Sequence, residues 1–410
     1  MAIHVIHEAR HCLQCKKPLC SLQGCPVHTP IPEMIRLFLE GKSAEAGKLL
    51  FENNPLSIVC SLVCDHEKQC EGNCIQGRKG MHVQISGIEN YSSDAYLDKM
   101  AFDRAPEKHQ KAAIIGTGPA GITIAMRLAQ RGYDVTLFES HDQIGGVLRY
   151  GIPAFRLPKS ILDRYQAKLL ALGIKIRPNT VIGGTLTIDD LFADGYEAVF
   201  IGTGVWRPRR LGIPGESLGN VHYAINYLFN PSVYTLGDRV AVIGAGNAAM
   251  DVARTAIRQG SRFVTIYARS QHISASQREV DYAKADGVDF QLGMHPERLT
   301  DKGPIFIPTT YDETGSIVSQ GTPERFPADS TIIAVSQGPK DKIVNTTTGI
   351  AVTERGLVET DPTGHTTREG VFASGDVVKG AKTVVEAVKY SKDVADAMDA
   401  YLQAQAAKRK

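Results

Sequence analysis

The chain has 410 residues, 43% hydrophobic and 22% charged, the composition of an ordinary globular protein of two to three domains. Its 46 basic and 44 acidic side chains nearly cancel, which argues against a nucleic-acid-binding protein and against an acidic tail. The first ten residues carry no apolar signal core and no stretch reaches membrane-spanning length, so a cytoplasmic protein without membrane attachment is expected.

In chain order the cysteines come first, and all of them lie between Cys12 and Cys74. Without an export signal, such clustering favours metal over disulfides. They read Cys12-x2-Cys15-x4-Cys20-x4-Cys25-Pro26, then Cys60-x3-Cys64-x5-Cys70-x3-Cys74. Between the two runs, Ile31, Met34, Ile35, Phe38 and Leu39 repeat at helical spacing up to Gly41. Ser43 reads as the cap of a second helix running towards Phe51 and broken at Asn53-Asn54-Pro55. Two cysteine loops joined by a helical pair can enclose two metal centres. Thiolates suit zinc or iron–sulfur clusters. Only one C-x2-C knuckle of the zinc type occurs, and a cysteine before proline resembles ferredoxins, so spacing favours iron–sulfur while zinc stays open. Residues 81–108 read as a polar connector, on which Glu89 is an ordinary solvated helix residue.

The apolar run Lys111–Ile115 predicts a buried parallel strand, and Gly116, Gly118 and Gly121 follow at G-x-G-x-x-G spacing. The first glycine permits a tight turn, the second admits a pyrophosphate, and the third lets helix and strand pack closely. A helix over 122–130, a stop at Gly132 and a second strand, Asp134–Phe138, complete the unit. Glu139 stands 23 residues after Gly116, where an acid accepts hydrogen bonds from a ribose. The adjacent Gly145 and Gly146 suit a backbone lying against a flat ligand. A helix over 160–172 and strands over 174–176 and 198–201 follow, the last closed by Gly202-Thr203-Gly204, and 208–214 reads as a linker.

Arg239–Ile243 starts the pattern again, with Gly244, Gly246, Asn247 and Ala248 in the turn and Ala249 in place of the third glycine. After a helix over 247–259 and a strand, Phe263–Ala268, the terminal position holds Arg269 instead of an acid. An arginine there accommodates a 2′-phosphate, although a plain surface arginine is the alternative. A repeated turn implies internal duplication. Residues 331–335 form a further strand, and 370–376 a strand running into Gly375-Asp376. An amphipathic helix over 383–398, starting near Thr383, then offers its N-terminus to negative charge on a reduced flavin.

Two dinucleotide sites imply electrons passing between two cofactors, with a flavin at the acidic Glu139 site and a nicotinamide at the Arg269 site. No cysteine follows Cys74, so no redox-active disulfide can take the electrons onward within these domains. They leave through the N-terminal metal centres or go directly to an acceptor, which strengthens the iron–sulfur reading. No catalytic side chain is assigned, because the cofactors carry the chemistry.

The Cys12–Cys74 segment, the GTGPAG and GAGNAAMD turns, the GGVLRYGIP loop and the GVFASGD…KTVVEAV tail together resemble the glutamate synthase small-chain family. That family includes the N-terminal half of dihydropyrimidine dehydrogenase, its bacterial electron-input subunit, and the large subunit of NADH-dependent ferredoxin:NADP oxidoreductase. The resemblance implies an α/β fold: two Rossmann-type domains preceded by an α-helical domain carrying two 4Fe–4S clusters. The expected boundaries are 1–108 for the clusters, 109–236 with 340–410 for FAD, and 237–339 for NAD(P)H. It implies FAD contacts from Gly116, Gly118, Pro119, Ala120, Gly121, Glu139, Gly146, Leu148, Arg149, Ile152, Thr203, Gly375, Asp376, Thr383 and Val384. NAD(P)H falls to Gly244, Gly246, Asn247, Ala248, Arg269 and, if the loop before it folds back, Arg278. One cluster falls on Cys12, Cys15, Cys20 and Cys74, the other on Cys25, Cys64, Cys70 and Glu89, leaving Cys60 spare. Two departures stand out: one extra residue between Cys20 and Cys25, and Ser336 where the family has glycine.

The chain ends at Lys410, soon after the FAD motif, so the expectation is an electron-input subunit or stand-alone diaphorase, nearest in length to the dihydropyrimidine dehydrogenase subunit. It would pass electrons from NAD(P)H through FAD and the clusters to a flavin- or iron–sulfur-containing partner of glutamate synthase or dihydropyrimidine dehydrogenase type. A flavin reductase with structural zinc, a component like the large subunit of a ferredoxin:NADP oxidoreductase, and a nucleotide-sensing module without turnover are the alternatives.

Overall fold

The computed structural model describes residues 2–100, 104–312 and 316–409, so part of the connector expected over 81–108 lies outside the described residues. The chain divides into two compact units. The first comprises Met1–Arg149, Ala154–Val205 and Pro339–Lys410; the second comprises Tyr150–Pro153 and Trp206–Gly338.

The first unit opens with the helices Ala2–Arg10, Ile31–Leu39, Ser43–Asn53, Ser57–Val63 and Ile85–Leu97. Ile31, Met34, Ile35 and Phe38 form one stripe of their helix and are buried together with Leu50, Val83, Ile85 and Ile88. Each such side chain stabilises the fold by about 1.5–3 kcal/mol relative to exposure. Cys12, Cys20, Cys25 and Cys74 pack against the edge of this core. Ser43 is the first residue of its helix and not the cap, a position Lys42 takes without a side-chain hydrogen bond. Ile85–Leu97 was expected to be polar connector. It is a helix because Ile85, Ile88 and Leu97 give it a buried face, and that face carries Glu89.

The rest of the unit is a parallel sheet in the order Val371–Ala373, Tyr196–Ile201, Lys111–Ile115, Asp134–Phe138, Lys175–Arg177. The helix Val384–Lys408 runs past the expected end at residue 398 and packs on Pro119–Gln130. Arg131 holds it through Asp396 and Asp399, and Tyr133 Oη donates to Asp399 Oδ1 at 2.5 Å.

The second unit repeats the design, in the order Val221–Tyr223, Ser330–Ile333, Arg239–Ile243, Phe263–Ala268, Val288–Leu292, again all parallel. In both sheets the strand before the glycine turn is central, with the next two strands in sequence on one side. Residues 206–236, assigned from sequence to the first dinucleotide domain, lie in the second unit. The reason is that Val221–Tyr223 pairs with Ser330–Ile333. Ile305–Tyr311, flanked antiparallel by Met294–Arg298 and Ile317–Gln320, is an addition that period-two reading did not single out.

Candidate functional site

The first turn is shaped by what its glycines exclude. Gly116 has φ +98°, and a Cβ there would lie 2.6 Å from the Gly202 carbonyl oxygen; one on Gly121 would lie 1.9 Å from the Gly116 carbonyl oxygen. Gly118, in contrast, faces open space, with nothing within 4 Å of a Cβ. It caps the helix Pro119–Gln130, whose first backbone N–H groups have no partner within the helix. Open space in front of free donors at a helix N-terminus fits a pyrophosphate.

Glu139, 3% exposed, closes the far side of the turn. Its Oε2 accepts from Thr117 N at 3.1 Å and from the Thr117 hydroxyl; its Oε1 accepts from His141 N at 3.0 Å and His141 Nδ1 at 2.8 Å. Burial works to raise its pKa, but the hydrogen bonds from His141 and Thr117 outweigh it and hold the carboxyl below its usual range. Thr117 also ties in the glycine pair, accepting from Gly145 N at both its carbonyl oxygen and its hydroxyl, each at 3.1 Å. Gly146 lies against Gly118, where a Cβ would be 3.0 Å from the Gly118 Cα. Thr117 and His141 were not anticipated; the one sequence signal for Thr117 was its place between the first two glycines.

The C-terminal motif folds onto the same turn. One cleft is lined by Gly118, Pro119 and Ala120, by Val147 and Gly202, and by Gly375, Asp376, Lys382, Thr383 and Val384. Thr383 caps the long helix in a reciprocal box: its Oγ1 accepts from Glu386 N at 3.4 Å, and Glu386 Oε2 accepts from Thr383 N at 3.1 Å. Asp376 is pushed up to about 7, chiefly by burial, with Glu386 adding repulsion against the one hydrogen bond from Lys382 N. Thr203 stands beside this turn, its Cα 3.2 Å from where a Gly116 Cβ would be. Other expected residues are engaged elsewhere. Leu148 is wholly buried, Arg149 binds Asp163 and the Ile144 carbonyl, and Ile152 falls in the second unit.

In the second unit Gly244 has φ +134°, with Ala334 O 2.3 Å from where its Cβ would be, and a Cβ on Gly246 would make only ordinary contact, with Ser274 Oγ at 3.8 Å. Ala249 is wholly buried in the core. The following loop folds back over the turn: Ser274 N and Ala275 N donate to Ala245 O at 3.1 and 2.9 Å, and Ser276 N donates to Asn247 Oδ1 at 2.9 Å. That was the condition set for Arg278, which packs on Tyr282 with Nε 3.2 Å from its hydroxyl. Arg269 is exposed directly beyond its strand. Ser336, the departure from glycine, has φ +89°, a conformation that strains any side chain and explains why glycine suits this strand end.

The cysteines separate into two sets. Cys12, Cys15, Cys20 and Cys74 line one cavity of about 110 Å³. Burial raises the Cys12 thiol and pushes Cys20 up to about 11, each with contributions from other members of this set. Cys25, Cys60, Cys64, Cys70 and Glu89 lie together as the other group. Burial raises Cys25 and Cys70, and the charge of Glu89 acts on both. Cys64 is raised by its hydrogen bond to Cys60 and by burial, with Glu89 and Cys70 contributing. Glu89 is 7% exposed and accepts from Ser57 Oγ at 2.6 Å, so the solvated reading is corrected. Burial pushes its carboxyl up to about 7 despite that bond. A tetrahedral zinc with bonds of about 2.3 Å needs its sulfurs about 3.8 Å apart. Among the described residues, the only trio of possible ligand atoms within 4.8 Å of one another is His7, Glu8 and His11. Among the described residues no three cysteine sulfurs come that close together.

Residues 110–391 match the pyridine nucleotide-disulphide oxidoreductase family, and residues 2–101 match a family described as dihydropyrimidine dehydrogenase domain II, 4Fe-4S cluster. The second match replaces the zinc alternative. The chain is 34% identical to the glutamate synthase (NADPH) small chain of Halomonas elongata, over 96% of this chain and 90% of that one. It is 33% identical to the NAD-dependent dihydropyrimidine dehydrogenase subunit PreT of Salmonella typhimurium, over 97% and 94%. Among solved structures, Mycobacterium tuberculosis FprA in complex with NADPH shares the fold, with TM-score 0.60 and 17% identity over 74% of this chain and 86% of that one. No helix among the described residues is long and apolar enough to cross a membrane.

Proposed function

We infer the workings of this protein from one premise: the chain belongs to the glutamate synthase small-chain family, within the pyridine nucleotide-disulphide oxidoreductases. It is an NAD(P)H-oxidising flavin and iron–sulfur oxidoreductase of the electron-input type. The observation that carries the finer reading is the cysteine partition, within the same compact unit as the Glu139 turn.

Cys12, Cys15, Cys20 and Cys74 hold one 4Fe–4S cluster, and Cys25, Cys64, Cys70 and Glu89 hold the other, with Cys60 a neighbouring thiol. The Gly116–Gly121 turn and the N-terminus of Pro119–Gln130 receive the FAD pyrophosphate, Glu139 its adenosine ribose, and the Asp376–Thr383 cleft the remainder. Held by these residues, FAD would supply hydride acceptance from NAD(P)H, and clusters on the cysteine sets would supply one-electron transfer onward. The second cysteine set lies towards the flavin fold. Cys25 acts on Lys392 of the C-terminal helix, and Cys60 and Glu89 act on Tyr165, whose hydroxyl donates to Pro55 O at 2.7 Å. The first set is the exit, and a protein partner is the acceptor. Anaerobically purified protein should show flavin bands over a broad iron–sulfur absorption, both bleached by NAD(P)H. Flavin bands alone would overturn the reading.

In the second unit Gly244, Gly246, Asn247 and Ala248 cradle the nicotinamide coenzyme, and Arg269 with Arg278 meets a 2′-phosphate. Arg269→Ala should reduce kcat/KM for NADPH by about tenfold or more, the worth of one charge-assisted hydrogen bond, and leave NADH nearly unchanged. Equal losses for both coenzymes would remove the 2′-phosphate role.

A further inference from the structure

We propose that the surface around the Cys12–Cys74 cavity is a docking face for the acidic surface of a one-electron redox protein. This rests on the reading of that cavity as the exit cluster site.

The first observation is apolar exposure where a soluble surface would ordinarily avoid it. Leu13 is 59% exposed and Ile75 41%, and both line the mouth of the cavity with Cys12, Cys15 and Cys74. Met81, 65% exposed, is brought beside them by Gln76, which accepts from Met81 N at 3.3 Å and donates to His11 O at 3.1 Å. Exposed apolar side chains grouped around a functional opening mark interaction sites.

The second observation is charge. The segments 9–32 and 72–88, which supply all four ligands of the first set, contain no acidic residue, although the whole chain is nearly balanced. Lys16, Lys17, Arg78 and Lys79 are all exposed there. The acids that flank these segments are engaged internally: Glu33 with Arg36 at 2.6 Å, Glu71 buried and accepting from Ser86 N at 2.8 Å, and Glu8 accepting from Gln84 N at 3.3 Å. An apolar centre with an unneutralised basic rim fits a small, transient electron-transfer interface, in which charge steers the encounter and short contact suffices. Each NAD(P)H oxidised gives two electrons, so two acceptor molecules are reduced by one electron each and one proton is released.

The test uses the full holoprotein with two haem proteins as probes: cytochrome b5, acidic around its haem edge, and cytochrome c, basic around its own. The protein should reduce cytochrome b5 faster at low than at high salt, with the opposite trend or no trend for cytochrome c. Carbodiimide cross-linking followed by peptide mapping should join cytochrome b5 carboxylates to Lys16, Lys17 or Lys79. Lys16→Glu/Lys17→Glu should lower kcat/KM for cytochrome b5 at least about tenfold and abolish the cross-link, leaving flavin reduction by NAD(P)H unchanged. Arg78→Glu/Lys79→Glu, on the other segment, guards against a local folding fault in the first variant. Unchanged kcat/KM in both variants, a salt-independent rate, no reduction of cytochrome b5, or binding of the face to anionic phospholipid vesicles in preference to cytochrome b5 would each overturn the proposal. Failure of the electron route itself reads differently: variants lacking a cluster would still reduce cytochrome b5 at the wild-type rate.

Discussion

Cys64→Ser should leave reduction of the bound flavin by NAD(P)H within about twofold of wild type, while electron delivery to a protein acceptor falls by about a hundredfold or more. Cys64 ends the helix Ser57–Val63, with Cys60, Glu89 and Cys70 acting on its thiol, so under this assignment its loss opens one cluster and touches neither glycine turn. The nicotinamide surrenders two electrons together and a cluster accepts one, so the cysteine segment stands downstream of the flavin site. The chain has no other cysteine beyond Cys74 to serve as a carrier. Cys60→Ser is the matched control: its thiol is buried and hydrogen-bonded to Cys64, but under this assignment it should keep both clusters. Glu89→Ala should be milder than Cys64→Ser, because water can complete the coordination. The measurement is stopped-flow flavin reduction beside acceptor reduction on one preparation, with iron content determined. Acceptor reduction at the wild-type rate in a preparation short of one cluster would make that cluster structural. Loss of iron in Cys60→Ser with none in Glu89→Ala would exchange the two ligands.

Gly118→Ala and Gly121→Ala should fail in opposite ways, although they lie three positions apart. A methyl group on Gly118 meets nothing within 4 Å, and its backbone, at φ −71° and ψ −173°, accepts alanine, so the apoprotein should keep its stability to within about 1 kcal/mol. The same methyl occupies the space where the pyrophosphate must approach, and FAD affinity should fall by at least about tenfold. On Gly121 the methyl would stand 1.9 Å from a backbone oxygen that cannot step aside. That variant should lose about 2–3 kcal/mol of stability with or without flavin. Thermal unfolding of the apoproteins and FAD titration separate the two. A Gly118→Ala protein that binds FAD at wild-type affinity would move the pyrophosphate away from this turn.

The strand–turn–helix units were legible in the sequence because they are local. Lys111–Ile115, Asp134–Phe138, Arg239–Ile243 and Phe263–Ala268 are short apolar runs ended by glycine or charge, and the structure holds each at those bounds. The need for glycine at Gly116 is equally local in sequence, although the atom that forbids a side chain there, the Gly202 carbonyl oxygen, belongs to a distant strand. Ile85–Leu97 was lost because only three of its thirteen residues, Ile85, Ile88 and Leu97, are large and aliphatic, so its helical stripe is faint until the neighbouring helices cover it. Glu89 followed it: a carboxylate on a weak helix reads as solvated, and nothing in sequence shows that Ser57, 32 residues away, will close over it. The boundary near residue 206 was likewise invisible, since Val221–Tyr223 is too short to announce itself and joins the second sheet only by pairing with Ser330–Ile333. By itself the sequence determined the number of dinucleotide turns, the sign of the residue ending each, and that the thiol-rich segment favours metal over disulfides, because residue type and spacing fix those. Which cysteines share a cavity, which carboxylate is stripped of water beside them, and that the C-terminal Asp376 returns to the first turn were decided only by tertiary packing, because each depends on side chains brought together from far along the chain.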